Sequence, residues 1–588
     1  MVDISKLNQE MLDMINKHRR KSQIFNGPED VLGRQNDIVW HNDALYTLVD
    51  NRLGKKIANY LPVPLYELIV DDGNSRQYKY LIIGQKTNGS LIKLLPIVEV
   101  TAEEMVTMGW AGKLWGKDAH IHENKNVVRN VMMDIADKYV ETKTIYIHTG
   151  WQQNYNTLCY MYHGGSVGGG DDTKAELPDK LQRYQLPHTI NDDNTDRHDA
   201  LHTLLAVADR RVIIPLLALV FLTPLNYFLR QSDCEPAFVM YLVGRTQSRK
   251  STLAALILSF FGRFKSTTLP ASFKDTINSL EAKAHILQDV ILVVDDYHPA
   301  GDRNDMMRKM QAISRMYGDR CGKDRLSPGL TTLRISNTPR GNVIVTGEDI
   351  PDISQSGLAR AIVIEMTPDT VPIGATLNAS QAYAQRGVYA EIMRDYIDWL
   401  RENEKDILKL LPTLFALNRN RALKDNLSVL GRTGDNIAWL MIGIYYLLSY
   451  LNGRGIKDID LLDAWDILKS TALAQQKYSA DTTPTQMYID AIKQLLACRK
   501  IGVNEIRGTL LTGTNNSPNV GYCDHNCYYF VPHTIYNTVF NYYKSIGITY
   551  PLTYNRIMQM LADDSISICS TGRYTLQKHI GDKCPRLL

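Results

Sequence analysis

The residues best suited to chemistry lie in four short stretches between positions 244 and 360. The first is GRTQSRKST, Gly244–Thr252, directly after the apolar run Phe238–Val243. A glycine-opened loop between a strand and a helix points backbone N–H groups at a phosphate. The helix N-terminus adds the positive end of its dipole. In that geometry Gly244 makes the turn and Ser248, Arg249 and Thr252 line the loop. Lys250 reaches the β- and γ-phosphates, and the Ser251 hydroxyl binds Mg²⁺. The pattern GxxxxGK[ST] asks for glycine at 249, where this chain has Arg249. If that residue needs a positive φ, an arginine there costs roughly 1–2 kcal/mol.

The second stretch, DVILVVDDYHPAG, carries two carboxylates at the end of an apolar run, 45 residues after Lys250. Acids at the C-terminal end of a buried parallel strand stand where α/β proteins place chemistry. Asp295 is expected in the Mg²⁺ shell, and Asp296 is expected to orient or deprotonate the attacking water. The third stretch, GNVIVTGED, ends another strand with Thr346 as the candidate for positioning that water and Glu348 as its alternative. The fourth, GLARAIVIE, puts Arg360 before a strand. An arginine there can stabilise the transition-state charge of a neighbouring subunit's nucleotide. Arg432 opens a long apolar helix and is expected to touch nucleotide in cis.

Strands and helices must hold these residues. Strands are expected at Phe238–Val243, at the run before Asp295, at Asn342–Thr346 and at Ala361–Met366, with a helix after Lys250. The run Val212–Leu229 is long enough to cross a bilayer, but its two prolines, Asn and Thr favour a buried helix. Upstream, Tyr66–Asp71 and Tyr78–Gly84 read as a hairpin, Val127–Tyr139 as a helix, and TIYIHTGW and TLCYMYHGG as two strands joined at QQNYN. The Gly/Asp/Pro-rich stretch 164–196 reads as a linker, Ser479–Thr485 as another, and the run from Thr367 as a loop inside one domain.

In this order and spacing, GRTQSRKST, ILVVDDYHP, VIVTGE and GLARAIVIE resemble an AAA+ ATPase of the helicase kind. With IHTGW and GGSVGGG upstream, the chain is similar to MCM-like replicative helicases of mobile genetic elements, the cassette chromosome helicase type. The likeness covers residues 110–450 well and the C-terminal part loosely. It implies an α/β fold: a P-loop motor with a parallel sheet (197–478), preceded by a mixed α+β accessory domain (1–196) and followed by a winged-helix domain (486–588). It also implies ATP and Mg²⁺ as cofactors, DNA as partner, a homo-oligomer in the form of a hexamer, other replication proteins of the same element as partners, and a cytoplasmic location. The expected activity is ATP-dependent DNA unwinding. The alternative is an ATP-dependent origin-binding initiator or loader that does not itself unwind DNA.

Bulk composition neither supports nor opposes this. The chain has 588 residues, a net charge of +3, 44% hydrophobic and 22% charged residues. That excludes a disordered, collagen-like or coiled-coil chain and leaves room for three or four domains. Eight scattered cysteines suggest a reducing compartment, and the N-terminus does not read as a signal peptide. Charge is local: Asp302–Arg340 holds nine basic against four acidic residues. This stretch reads as a pore hairpin with Lys323 and Arg325 near its tip touching phosphates. Residues 486–588 read as helices followed by a hairpin around Thr571-Gly572-Arg573, with Arg556 on a helix and Arg573 on a wing as DNA contacts. Cys523 to Cys527 lacks a second ligand pair for zinc. His148 and His163 lack a nucleophile to serve and read as strand or turn residues.

Overall fold

The computed structural model describes residues 38–588 except 42–43, 51, 89–90, 155–156, 171–172, 191–194, 299–302, 323–336, 350–356, 358, 428–430, 482, 507–509, 513–516, 547–549, 571–572 and 581–582. The chain divides into two units. The first is Met1–Ile353 with Arg360–Lys469, and the second is Ser354–Ala359 with Ser470–Leu588. The boundary after Lys469 falls inside the helix Ala464–Asp481, before the break expected at Ser479–Thr485.

The first unit begins with an antiparallel sheet of β1 (Ile38–His41), β2 (Ala44–Val49) and β3 (Arg52–Ala58). A second sheet combines β4 (Leu61–Asp71), β5 (Arg76–Asn88), β6 (Leu91–Leu94), β7 (Val98–Thr101) and β8 (Glu141–Tyr146). The expected hairpin is the end of the long β4–β5 pair. The helix Lys125–Tyr139 buries Val128, Val131, Met132 and Ile135 in this core. TIYIHTGW is not one strand. Its first part closes β8 against β4, and Gly150-Trp151 open β9 (Gly150–Asn154), which pairs with β10 (Thr157–Tyr162). Gln152 to Asn154 therefore belong to the strand, not to a turn.

The expected linker 164–196 is packed instead. Gly165–Val167 forms β11 on β10. Leu177, Leu181, Tyr184 and Leu186 are buried between its glycines and prolines, and the Tyr184 hydroxyl donates to the Ile291 carbonyl at 2.7 Å. Apolar residues at irregular spacing carry no period, so composition alone suggested a linker. The helix Arg210–Leu222 continues as far as Gln231, and this segment is apolar and long enough to cross a membrane. Its side chains from Val212 to Leu222 are buried within the unit.

The central sheet is wholly parallel. Its five strands are β12 (Val239–Val243), β13 (Ala271–Ser272), β14 (Ile291–Tyr297), β15 (Asn342–Gly347) and β16 (Ala361–Glu365), in the order β13-β14-β15-β12-β16. β15 thus lies between the strand that precedes the glycine-opened loop and the strand that carries the two acids. The helices Val388–Glu402, Glu404–Lys424 and Thr433–Gly453 follow.

The second unit holds more strands than expected. β17 (Gly502–Glu505), β18 (Leu510–Thr512), β19 (Asn519–Cys523) and β20 (Tyr528–Phe530) form one sheet, with the helices Pro484–Ala497, Pro532–Ser545 and Tyr554–Asp563 around it. Ile535, Val539, Ile557 and Leu561 share its core. β21 (Leu576–Gln577) pairs with β22 (Arg586–Leu587), and the hairpin expected around Thr571-Gly572-Arg573 has its first two residues outside the described ones. Ser570 N–H donates to the Thr575 carbonyl at 3.3 Å.

Candidate functional site

Gly244 follows the last residue of β12, and the chain re-enters a helix at Lys250 (Lys250–Leu258). A Cβ at Gly244 would lie 2.2 Å from the Met366 carbonyl oxygen and 2.8 Å from Ser248 Oγ, so a side chain has no room there. Arg249 adopts φ 60° and ψ 29°, the left-handed conformation in which an arginine carries a strain cost. Its guanidinium donates to the Pro368 and Val371 carbonyls at 2.7 and 2.8 Å. The arginine therefore anchors the loop to the turn after β16 while holding a conformation that glycine takes more easily.

The Lys250 ammonium donates to the loop's own acceptors: Gly244 O at 2.6 Å, Arg245 O at 3.1 Å and Ser248 Oγ at 3.3 Å. Burial lowers its pKa, and the charges of Glu348, Asp295 and Asp296 act in the opposite direction. Ser251 Oγ donates to Asp295 Oδ1 at 2.7 Å. Thr346 Oγ1 donates to the same oxygen at 2.6 Å and accepts from the Asp296 backbone N–H at 3.1 Å. Asp296 has φ 69°, and the β14–β15 register shifts between Val294 and Tyr297. A bulge at the strand end thus turns Asp295 toward Ser251 and leaves Asp296 exposed. Thr346 is buried with its hydroxyl hydrogen committed to Asp295, so it locks the bulge. Glu348 bridges two segments: it accepts from Thr246 Oγ1 in the loop, and its other oxygen lies 2.7 Å from His298 Nδ1. The Thr246 hydrogen bond, more than the nearby charges, holds its carboxyl below the usual carboxylate range.

The two arginines stand elsewhere. Arg360 immediately precedes β16, whose Ala361 pairs with Val239 at the start of β12. Five residues of strand at about 3.3 Å each separate that edge from Gly244, about 16 Å. Arg360 Nε donates to Asp319 Oδ1 at 2.9 Å, and Arg432 NH1 lies 3.1 Å from the same oxygen. Arg432 also donates to the Gly318 carbonyl. The structure places Arg432 beside Arg360 and not beside Lys250. Asp319, at the end of the helix Arg303–Asp319, is the residue that sequence reasoning missed: nothing local to it signals that two distant arginines meet there.

The basic stretch 302–340 divides. Arg320 donates to Pro236 O and Gly341 O at 2.6 Å each and to Asn342 Oδ1 at 3.0 Å. Arg340 is buried and donates to His285 O. These two brace the start of the sheet and cannot face a nucleic acid. Arg308 and Arg315 are exposed, while Lys323 and Arg325 lie outside the described residues. In the second unit Arg556 and Arg573 are both exposed. Asp524 accepts from Asn526 N, Cys527 N, the Tyr529 hydroxyl and Lys578, so the Cys523–Cys527 segment is an Asp-stabilised turn.

The IHTGW segment is a brace. Trp151 N donates to Asp289 Oδ2 at 3.0 Å, its indole to Pro224 O at 2.7 Å, and Arg230 pairs with Asp289 Oδ1 at 2.8 Å. Asp289 is fully buried, and burial raises its pKa against the pull of Arg230. His148 is buried with its Nδ1 on Thr149 O.

No protein-family model matches the sequence, and no curated protein matches it. Among solved structures, one described as "SCCmec type IV Cch - active helicase" aligns with TM-score 0.57 and 14% identity, covering 95% of this chain and 98% of that one. The NrS-1 C-terminal region aligns at TM-score 0.26 and 12% identity over 65% of this chain and 87% of its own. The JCV helicase aligns at 0.20 and 15% over 42% and 74%. The last two scores are too low to bear on the fold. Over nearly its whole length, this chain shares the fold of the first.

Proposed function

We infer that the protein is an ATP-driven DNA helicase of the AAA+ type that works as a ring, with nucleotide held between copies, in replication of a mobile genetic element. The observation that carries this reading is the separation of charges across one parallel sheet. Lys250, Ser251, Asp295 and Asp296 stand at its C-terminal edge, and Arg360 and Arg432 at the opposite edge. Such arginines are out of reach of their own chain's loop but suited to a neighbour's. The solved structure described as an active helicase, whose fold the chain shares, supports the activity.

The residues fit a magnesium nucleotide. Ser251 Oγ and Asp295 Oδ1 are hard oxygens side by side, and Mg²⁺ when bound would neutralise charge on the phosphates. Lys250 would exchange its loop carbonyls for phosphate oxygens. Exposed Asp296 is placed to accept a proton from water, while Thr346 holds the backbone that aims it. Glu348 ties Thr246, on the loop, to the end of β15. Arg360 and, in the same cluster, Arg432 would stabilise transferring charge in the adjacent copy. Lys323, Arg325, Arg556 and Arg573 supply phosphate contacts to DNA, the last two from a winged-helix unit.

Unwinding of a forked DNA by wild type, Lys250→Ala and Asp296→Ala, measured beside ATPase, tests this. Both variants should lose at least about a hundredfold in ATPase and all strand displacement. Wild-type ATPase stimulated by DNA with no displacement would assign the chain as an initiator or loader. No nucleotide binding by wild type would overturn both readings.

A further inference from the structure

A second cluster lies apart from the nucleotide site. His198 and His202 stand one turn apart on the helix Thr195–Leu205, and Asp458 comes from the segment after the helix Thr433–Gly453. His198 Nε2 lies 2.7 Å from Asp458 Oδ2, and His202 Nε2 lies 3.0 Å from the same oxygen. The two Nε2 atoms are 3.2 Å apart. Three ligands of a tetrahedral ion bound at about 2.0–2.1 Å stand about 3.3 Å from one another. The sides of the observed triangle would therefore widen by about 0.1 to 0.6 Å to accept one.

The surrounding contacts prepare the same arrangement. His198 Nδ1 is 3.2 Å from Asp199 Oδ1. A carboxylate on the outer nitrogen is the usual partner of a metal-bound imidazole, because it fixes the tautomer that turns the Nε2 lone pair inward. With its proton on Nδ1, neutral His198 presents a lone pair to a carboxylate oxygen, and either a metal ion or a second ring proton must then lie between the two acceptors. The opposite wall is also held: Arg210 Nε donates to Asp463 Oδ2 at 2.7 Å and Arg210 NH2 to Asp460 O at 3.0 Å. His198, His202 and Asp458 keep 30, 42 and 58% of their side chains exposed, so an ion can enter from solvent.

We propose that His198, His202 and Asp458 bind a divalent transition metal of the zinc class, which ties the helix Thr195–Leu205 to the segment 454–463. Two imidazoles and one carboxylate suit such an ion, whereas Mg²⁺ prefers an all-oxygen shell. The site is independent of the nucleotide reading, since none of its ligands belongs to that cluster.

Full-length protein stripped with a chelator is titrated with Co²⁺, followed by its visible absorption, in excess Mg²⁺. Wild type should bind one Co²⁺ more than His202→Ala and Asp458→Asn, and Zn²⁺ should displace it. Asp199→Asn should retain the equivalent with roughly ten- to a hundredfold weaker affinity. Both ligand positions are exposed, and circular dichroism checks that the variants fold. Equal Co²⁺ uptake by wild type and variants, or none by any of them, overturns the proposal. A proton on His198 then supplies the positive charge.

Discussion

Substitutions at Arg249 set two effects against each other that the structure allows to be weighed. The left-handed backbone costs a non-glycine residue about 1–2 kcal/mol. Against this, the guanidinium makes two hydrogen bonds to carbonyls, at 2.7 and 2.8 Å. A charged donor contributes about 1.5–3 kcal/mol to a buried bond, and about 1 kcal/mol each is reasonable for a half-exposed side chain. Arg249→Ala keeps the strain and loses both bonds, so it should destabilise by about 2 kcal/mol. Arg249→Gly loses the bonds but relieves the strain, less about 0.5–1 kcal/mol of extra chain entropy. Glycine should therefore be more stable than alanine by about 0.5–1 kcal/mol, with arginine at or above glycine. Urea unfolding followed by tryptophan emission measures this cleanly, because all seven tryptophans precede Lys469 and report on the first unit. Alanine as stable as glycine would refute the argument from backbone strain. Glycine more stable than arginine would show that the bonds to Pro368 and Val371 contribute less than the net strain glycine relieves.

Two further outcomes follow from the same geometry. Arg360→Ala should keep nucleotide binding and lose hydrolysis, and a mixture of Arg360→Ala with Lys250→Ala should hydrolyse ATP faster than either alone; a mixture no better than its parts would refute action across copies. His148 is held at about 4, first by burial and then by the charge of Arg340, against about 6.5 in the unfolded chain. The unfolded chain then binds a proton that the folded chain refuses, so the full contribution is present above pH 6.5 and is lost as pH falls toward 4, up to about 3 kcal/mol. His285, lowered mainly by burial, adds to the same slope. Urea midpoints should therefore fall between pH 7 and 4.5 in wild type and fall less steeply in His148→Gln, and equal slopes would refute this assignment.

Much of the central parallel sheet and its loops was legible because each of their elements announces itself locally. The run before Gly244 is continuous and apolar, as a strand buried on both faces must be, and the loop, lysine and hydroxyl follow within eight residues. The same holds for the acids ending β14 and for Thr346 at the end of β15. The reading failed where burial is aperiodic or the partner is remote. Leu177, Leu181 and Tyr184 turned a supposed linker into core. Arg320 and Arg340 looked like a DNA face because charge counts do not register a guanidinium bonded to carbonyls inside a fold.

By itself the sequence determined which residues could handle phosphate and in which order the strands carry them, since strand and loop chemistry are encoded within a few neighbours. Only the tertiary structure decided where those strands sit. By inserting β15 between β12 and β14 it placed Thr346 on both acids, and by drawing Asp319 to the far edge it gathered Arg360 with Arg432. The joining of His198 and His202 to Asp458, more than 250 residues away, is of the same kind. Contacts between remote side chains depend on how sheets and helices pack, and that leaves no local pattern in the chain.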